Sequence, residues 1–72
     1  MTIGSRIRTL REAHKLSRPE MARRLGDMPF TTLKNYELGY RQTSGAIIEA
    51  IGRCFGKNWV LFVLGIEPQP NA

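Results

Sequence analysis

The chain has 72 residues, a net charge of +5, 42% hydrophobic residues and a single cysteine. It is long enough for one small folded domain and too short for a second core, and Cys54 alone excludes an internal disulfide and a cysteine-based zinc site. The charge is one-sided: residues 1–44 carry nine Lys or Arg against four Asp or Glu, whereas residues 45–72 carry two of each.

A small domain with its positive charge gathered at one end has the electrostatic footprint of a phosphate-binding protein; a solubilising surface is the plain alternative. The opening residues carry charge and no apolar run of signal-peptide length. The most apolar stretch, residues 59–64, is far too short to span a bilayer, so neither a membrane partner nor a membrane address is expected. Absent disulfides fit a reducing cytoplasm.

In chain order, Ile3, Ile7 and Leu10 recur at spacings of four and three and predict a first helix over residues 2–14, with Leu16 closing the connection. Ser17 followed by Glu20 is a capping box, and Pro19 sits in the first turn it opens, where a missing N–H costs little. Met21, Ala22 and Leu25 form the buried face of this short second helix, which Gly26 ends. A third helix starts at Pro29 or Phe30 and runs to Leu38, with Leu33 and Tyr36 inward and Gly39 as its stop. Ser44 is the candidate cap of a fourth helix carrying Ile47, Ile48, Ile51 and Phe55. Asn58 is the candidate cap of a last one over "WVLFVLG". That final segment also has strand-like Val and Phe content, but its shortness and the helical context favour a helix. The expectation is an all-α, compact five-helix domain over residues 1–66 with a tail at 67–72.

The stretches "IGSRIRTLREAHKLS", "RPEMARRLG", "TTLKNYELG" and "AIIEAIGRCFGKNWVLFVLG" together resemble, in register, the lambda-repressor-like helix-turn-helix family of phage Cro and repressor proteins. The likeness spans residues 3–65. It implies that the third helix lies in the major groove of DNA with its outer side facing the DNA and its N-terminal residues at base edges. That side holds Phe30, Thr31, Lys34 and Asn35, with Thr32 at its edge. Asn35 suits a bidentate pair with adenine and Lys34 a bond to guanine; the bland reading is an exposed polar face. Thr31 and Thr32 suit phosphates or thymine methyls. Phe30 either packs under the turn or meets a thymine methyl. The turn "GDMPF" is one residue longer than the family's, with Pro29 as cap or first helical residue, which bears on how Phe30 and Thr31 are presented.

The resemblance further implies phosphate contacts from Arg41, Gln42 and Thr43 in the loop after the third helix, and Arg18 stands where the N-terminus of the second helix attracts phosphate. Arg6, Arg8 and Lys15 are weaker candidates for the same contacts, some of them plain surface, and of Arg23 and Arg24, later on the second helix, Arg23 is expected to face solvent. Arg11 and Glu37 occupy positions that the family commonly joins in a structural ion pair. The last helix offers more apolar surface than one monomer is expected to bury. Since relatives often dimerise there, Val60, Phe62 and Val63 are the candidate dimer interface, with Trp59 closing the core.

The expected function is that of a cytoplasmic, nucleoid-associated regulator, Cro-like or a short repressor of a phage or prophage, binding a palindromic double-stranded DNA operator as a homodimer. With no ligand-sensing domain in this length, control is expected from concentration, operator layout or a protein antagonist. No nucleophile–base pair, metal set or cofactor loop is present in the sequence, so no enzyme and no cofactor are expected. The rival reading is a helical adaptor or antitoxin-like module acting through the apolar C-terminal helix.

Overall fold

A computed structural model of the protein describes residues 2–70. The outer ends of the expected domain and tail, Met1 and residues 71–72, lie outside the described residues. Five helices follow one another: α1 (Ile3–Ala13), α2 (Arg18–Arg24), α3 (Phe30–Leu38), α4 (Gly45–Phe55) and α5 (Lys57–Val63). There is no strand among the described residues, so the ambiguous last segment is helical.

Two of the helices begin with reciprocal caps. Ser17 accepts from the Glu20 N–H at 3.2 Å while the Glu20 carboxylate accepts from the Ser17 N–H at 2.8 Å. Thr2 and Ser5 do the same for α1, at 3.1 Å and 3.0 Å. Each such pair satisfies two backbone donors that a helix start would leave orphaned. Two other expected caps differ. Ser44 precedes α4 in extended backbone but makes no side-chain bond to it; its hydroxyl instead lies 3.3 Å from the Tyr36 hydroxyl. Asn58 lies inside α5, which starts at Lys57. Gly56, at φ 101, ends α4 and begins α5, so the chain reverses through one residue where a Cβ would be strained, and no Asn cap is needed.

The core gathers Ile7 and Leu10 of α1, Met21 and Ala22 of α2, Leu33 and Tyr36 of α3, Ile47, Ala50 and Ile51 of α4, and Phe62 and Val63 of α5, together with Leu25. This corrects which residues of the last helix are free to meet a second chain. Phe62 and Val63 are buried inside the monomer, and Val60 is half-buried against Gly52. One short helix buries this much because an aromatic cluster closes over it. The His14 ring centroid lies 4.6 Å from Phe55 and 5.1 Å from Trp59, and Trp59 meets Phe62 edge-on at 5.6 Å. His14 is held in place at 2.8 Å from the Leu10 carbonyl, which can only accept, so Nδ1 carries the donated proton. The large apolar side chains left exposed at this end are Leu64 and Ile66.

The packing that matters for function surrounds α3, which lies against both α1 and α2. Gly4 makes the first of these contacts possible. A Cβ built there would sit 2.3 Å from the Tyr36 carbonyl oxygen and 2.8 Å from that of Glu37. Only glycine lets the start of α1 lie on the backbone that ends α3.

Candidate nucleic-acid interface

α3 is held on two sides and bare on the third. Leu33 and Tyr36 enter the core, and Glu37 is buried beside them. The opposite stripe follows from the helical period: Thr31, Lys34 and Leu38, at successive spacings of three and four, come round to one face, with Asn35 beside them. Thr31 and Lys34 are exposed, and Thr32 and Asn35 are half-buried.

The longer turn into α3 is absorbed before the helix begins. Gly26 at φ 92 and Asp27 at φ 57 take consecutive left-handed conformations. The Asp27 N–H donates to the Arg23 carbonyl and the Met28 N–H to the Ala22 carbonyl, each at 3.1 Å, so the extra residue coils over the end of α2. Asp is one of the few residues besides glycine that tolerates this conformation. Met28 packs against the core, and Pro29 takes the N-cap position with no side-chain cap bond. Of the two readings of Phe30, packing under the turn is the one the structure does not adopt: the side chain is 51% exposed.

At its other end α3 closes through Gly39 at φ 80. The Tyr40 and Arg41 N–H groups both donate to the Asn35 carbonyl, at 2.9 Å and 3.2 Å, which is how a left-handed residue satisfies a helix's last acceptors. The Arg41 guanidinium lies 5.5 Å above the centre of the Tyr36 ring, a cation–π contact, while the Tyr36 hydroxyl reaches Ser44. Tyr36 therefore anchors both ends of the loop that displays Arg41, Gln42 and Thr43. Arg41 and Gln42 are exposed and Thr43 is half-buried.

Beneath this face sits a charged knot. Arg11 binds the Glu37 carboxylate through two nitrogens, Nε to Oε2 at 2.9 Å and Nη2 to Oε1 at 3.1 Å, and its Nη1 donates to the Leu16 carbonyl at 3.0 Å. Arg18 Nε donates to the same Oε1 at 3.2 Å. Arg18 thus leans from the start of α2 onto the end of α3, with part of its side chain still in solvent. Other basic residues are otherwise engaged: Arg8 pairs with Glu12 on the exposed side of α1, and the Arg6 guanidinium lies against Gly65. Arg23, Arg24 and Lys15 are exposed.

A helix–turn–helix is formed by α2, the coiled turn and α3, the second helix presenting a mixed polar and apolar face beside a basic loop. A helix-turn-helix family profile matches residues 7–62. The chain belongs to the lambda-repressor/Cro-like helix-turn-helix family. It is a DNA-binding transcription regulator of that family. Comparison with curated proteins and with solved structures returns no significant match.

Among the described residues no group of His, Cys, Asp and Glu is arranged to hold a metal ion, and no helix is long and apolar enough to cross a membrane. Two exposed residues at the end of α3 and just past it escape a reading by residue type. Leu38 is 43% exposed and Tyr40 79%. Their apolar side chains suggest core or helix end, and only the phase of α3, set by Leu33 and Tyr36, turns Leu38 outward.

Proposed function

We propose that this regulator is Cro-like or a short repressor of a phage or prophage, nucleoid-associated, acting as a homodimer on a palindromic operator and occluding a promoter from polymerase. The observation that carries the reading is the outer stripe of α3: Thr31, Lys34 and Asn35 side by side, flanked by Phe30 before them and by Arg41, Gln42 and Thr43 after. Lys34 and Asn35 are the base-edge readers, with Phe30, Thr31 and Thr32 at the entry of the helix. Arg41, Gln42, Thr43 and the exposed part of Arg18 take phosphates, which fix register without reading sequence. The surplus charge lies in residues 1–44, the part of the chain that holds α2, α3 and the loop after it.

A two-fold dimer places two α3 helices in successive major grooves, with half-sites about 10 bp apart. The apolar surface for self-association is Leu64 and Ile66, both exposed near the end of the chain, with the Arg6 guanidinium against the intervening Gly65. The same two residues favour the rival reading, an adaptor or antitoxin-like module whose partner is a protein.

Selection of bound sequences from a random duplex pool, at near-physiological salt, tests the proposal. A recovered palindrome with half-sites one helical turn apart is the expected result. Binding without enrichment makes the protein architectural, and an adaptor binds no DNA. The salt dependence separates them again: a dimer neutralising about eight phosphates gives a slope of log K against log salt near −7.

A further inference from the structure

We infer that Glu37 is a positioning residue for DNA binding: its buried carboxylate holds the Arg18 guanidinium by Nε, so that the two terminal nitrogens grip one backbone phosphate in each half-site. This rests on the reading of α2 and α3 as a DNA-binding pair with Arg18 on a phosphate.

The balance of charge calls for a second anion. Arg11, Arg18 and Glu37 bring two positive charges and one negative charge together, and among the described residues no other acid lies within ion-pair distance of either arginine. Arg11 is occupied on every nitrogen, two on the carboxylate and one on the Leu16 carbonyl. The surplus positive charge therefore falls on Arg18, which shares one oxygen of an acid that solvent does not reach. A charge held partly out of water attracts an anion more strongly than a fully solvated one does.

The geometry selects the kind of anion. A guanidinium has five N–H donors in a fixed plane. Glu37 takes the one on Nε, at 3.2 Å. Among the described residues the other four have no partner, and no buried side-chain nitrogen is left unpaired, so these four face solvent. They lie on the two terminal nitrogens, a fork that matches two oxygens of a phosphate. Arg18 opens α2, the helix that crosses the backbone when the next one lies in the major groove. A free arginine gives up rotamer freedom on making such a contact, whereas Arg18 is already tied to the end of α3. The acid that joins α1, α2 and α3 thereby fixes the phosphate contact relative to α3.

The test uses the full chain and the duplex enriched from the random pool. Each phosphate of a half-site is replaced in turn by a methylphosphonate, which removes its charge. Kd is measured for the wild type, Arg18→Ala, Arg18→Lys and Glu37→Asp; the two Arg18 variants leave the Arg11–Glu37 pair in place. The expected result is one phosphate per half-site whose replacement weakens the wild type about tenfold, the size of one charge-assisted hydrogen bond, and leaves Arg18→Ala unaffected. Arg18→Lys keeps the charge but not the fork, and is expected to lose most of that penalty. Glu37→Asp draws the carboxylate back by one methylene and, where circular dichroism shows it folded, is expected to lose the penalty in the same way; if it does not fold, Arg18→Lys decides alone. A lysine variant that keeps the full penalty means that charge suffices, and overturns the positioning role. So does a folded Glu37→Asp that keeps it. A wild type insensitive to every replacement, or a penalty that survives at every phosphate in Arg18→Ala, overturns the contact itself. In all these cases enrichment still stands, and with it the DNA reading. Should no sequence be enriched, the half-site and this inference fall together.

Discussion

Arg11 on α1 and Glu37 on α3 meet through two parallel hydrogen bonds, 2.9 Å and 3.1 Å, around a carboxylate that solvent does not reach. Arg18 of α2 binds the same carboxylate, so one side chain at the end of α3 ties together α1, α2 and α3. The geometry is that of a planar guanidinium fork, which Lys cannot reproduce. Glu37→Ala leaves two arginines facing a carboxylate-sized hole, and Arg11→Ala takes away the two-nitrogen partner of the buried acid, leaving it a single bond from Arg18. Either is expected to cost roughly 3–5 kcal/mol in urea unfolding. The double variant is expected to lose much less than the sum. Strictly additive losses would show that the residues do not act as a unit. Arg18→Ala is the mild member of the set, because Arg11 still satisfies the acid.

Gly4 governs how closely α1 approaches α3. Gly4→Ala puts a methyl group 2.3 Å from the Tyr36 carbonyl oxygen, and backbone cannot rotate aside as a side chain would. Overpacking of this kind costs about 1–3 kcal/mol. The effect should also reach DNA binding, since Tyr36 anchors the loop carrying Arg41. The check is thermal unfolding together with operator affinity under conditions where the variant is folded. A variant as stable as the wild type would mean that α1 shifts freely on α3.

Much of this architecture is legible in the sequence, and the exceptions share a cause. The Ser17–Glu20 box and the apolar stripes are local, so residue type and spacing suffice to place α2 and the core faces of α1 to α4. The Thr2–Ser5 cap escapes because Ser at the third position looks less like a capping partner than Glu, yet its hydroxyl makes the same bond. Gly4 looks like an ordinary weak point in a helix until a second helix end is laid on it. Phe62 and Val63 look like surplus apolar surface because the aromatic lid of His14, Phe55 and Trp59 is assembled from three separate helices or their ends. The outer side of α3 is readable for its polar residues and unreadable for Leu38, whose type suggests the core and whose phase puts it outside.

Glu20 gives the fold a pH dependence with a definite sign. The Ser17 N–H and then the Ser17 hydroxyl stabilise its ionised form, and Arg23 and Arg24 add to this, holding the carboxyl below the ordinary value of 4.5. The folded state therefore binds the proton less readily than the unfolded chain. The resulting stability is fully present above pH 4.5 and is lost as pH falls from there through the folded value. Glu20→Gln keeps an acceptor for the Ser17 N–H but cannot ionise. The Tm difference between wild type and Glu20→Gln is expected to be constant near neutrality and to shrink below pH 4.5. A difference that stays flat to pH 3 would assign the cap to geometry alone.

Asn35 and Arg41 are expected to fail in different ways. Asn35→Ala removes a base-edge contact and should cost about 1–3 kcal/mol on the selected operator while leaving non-specific affinity nearly unchanged. Arg41→Ala removes a phosphate contact, weakening all sequences alike and lowering the salt slope by about 1 per protomer. Arg41 also leaves the Tyr36 ring, so some loss of loop order accompanies the change. Binding titrations at several salt concentrations separate the two. If Asn35→Ala leaves the ratio of operator to random-DNA affinity unchanged, the residue is surface.

Ile66 carries the prediction for assembly. It is 65% exposed, beside Leu64, just past the end of α5 in a part of the chain with no net charge. Both residues sit outside the core that absorbs Phe62 and Val63, so charge can be introduced there without opening the monomer. Ile66→Glu places two like charges near the axis of a dimer formed through this surface, and like-charge juxtaposition opposes association. The wild type is expected to sediment as a dimer and Ile66→Glu as a folded monomer. The variant should retain weak binding to a half-site and lose the steep, cooperative binding to the full palindrome. Leu64→Glu should act the same way. A wild type that sediments as a monomer at the concentrations where it fills a palindrome would move cooperativity from the protein to the DNA, and Ile66 would then face solvent in the complex as well.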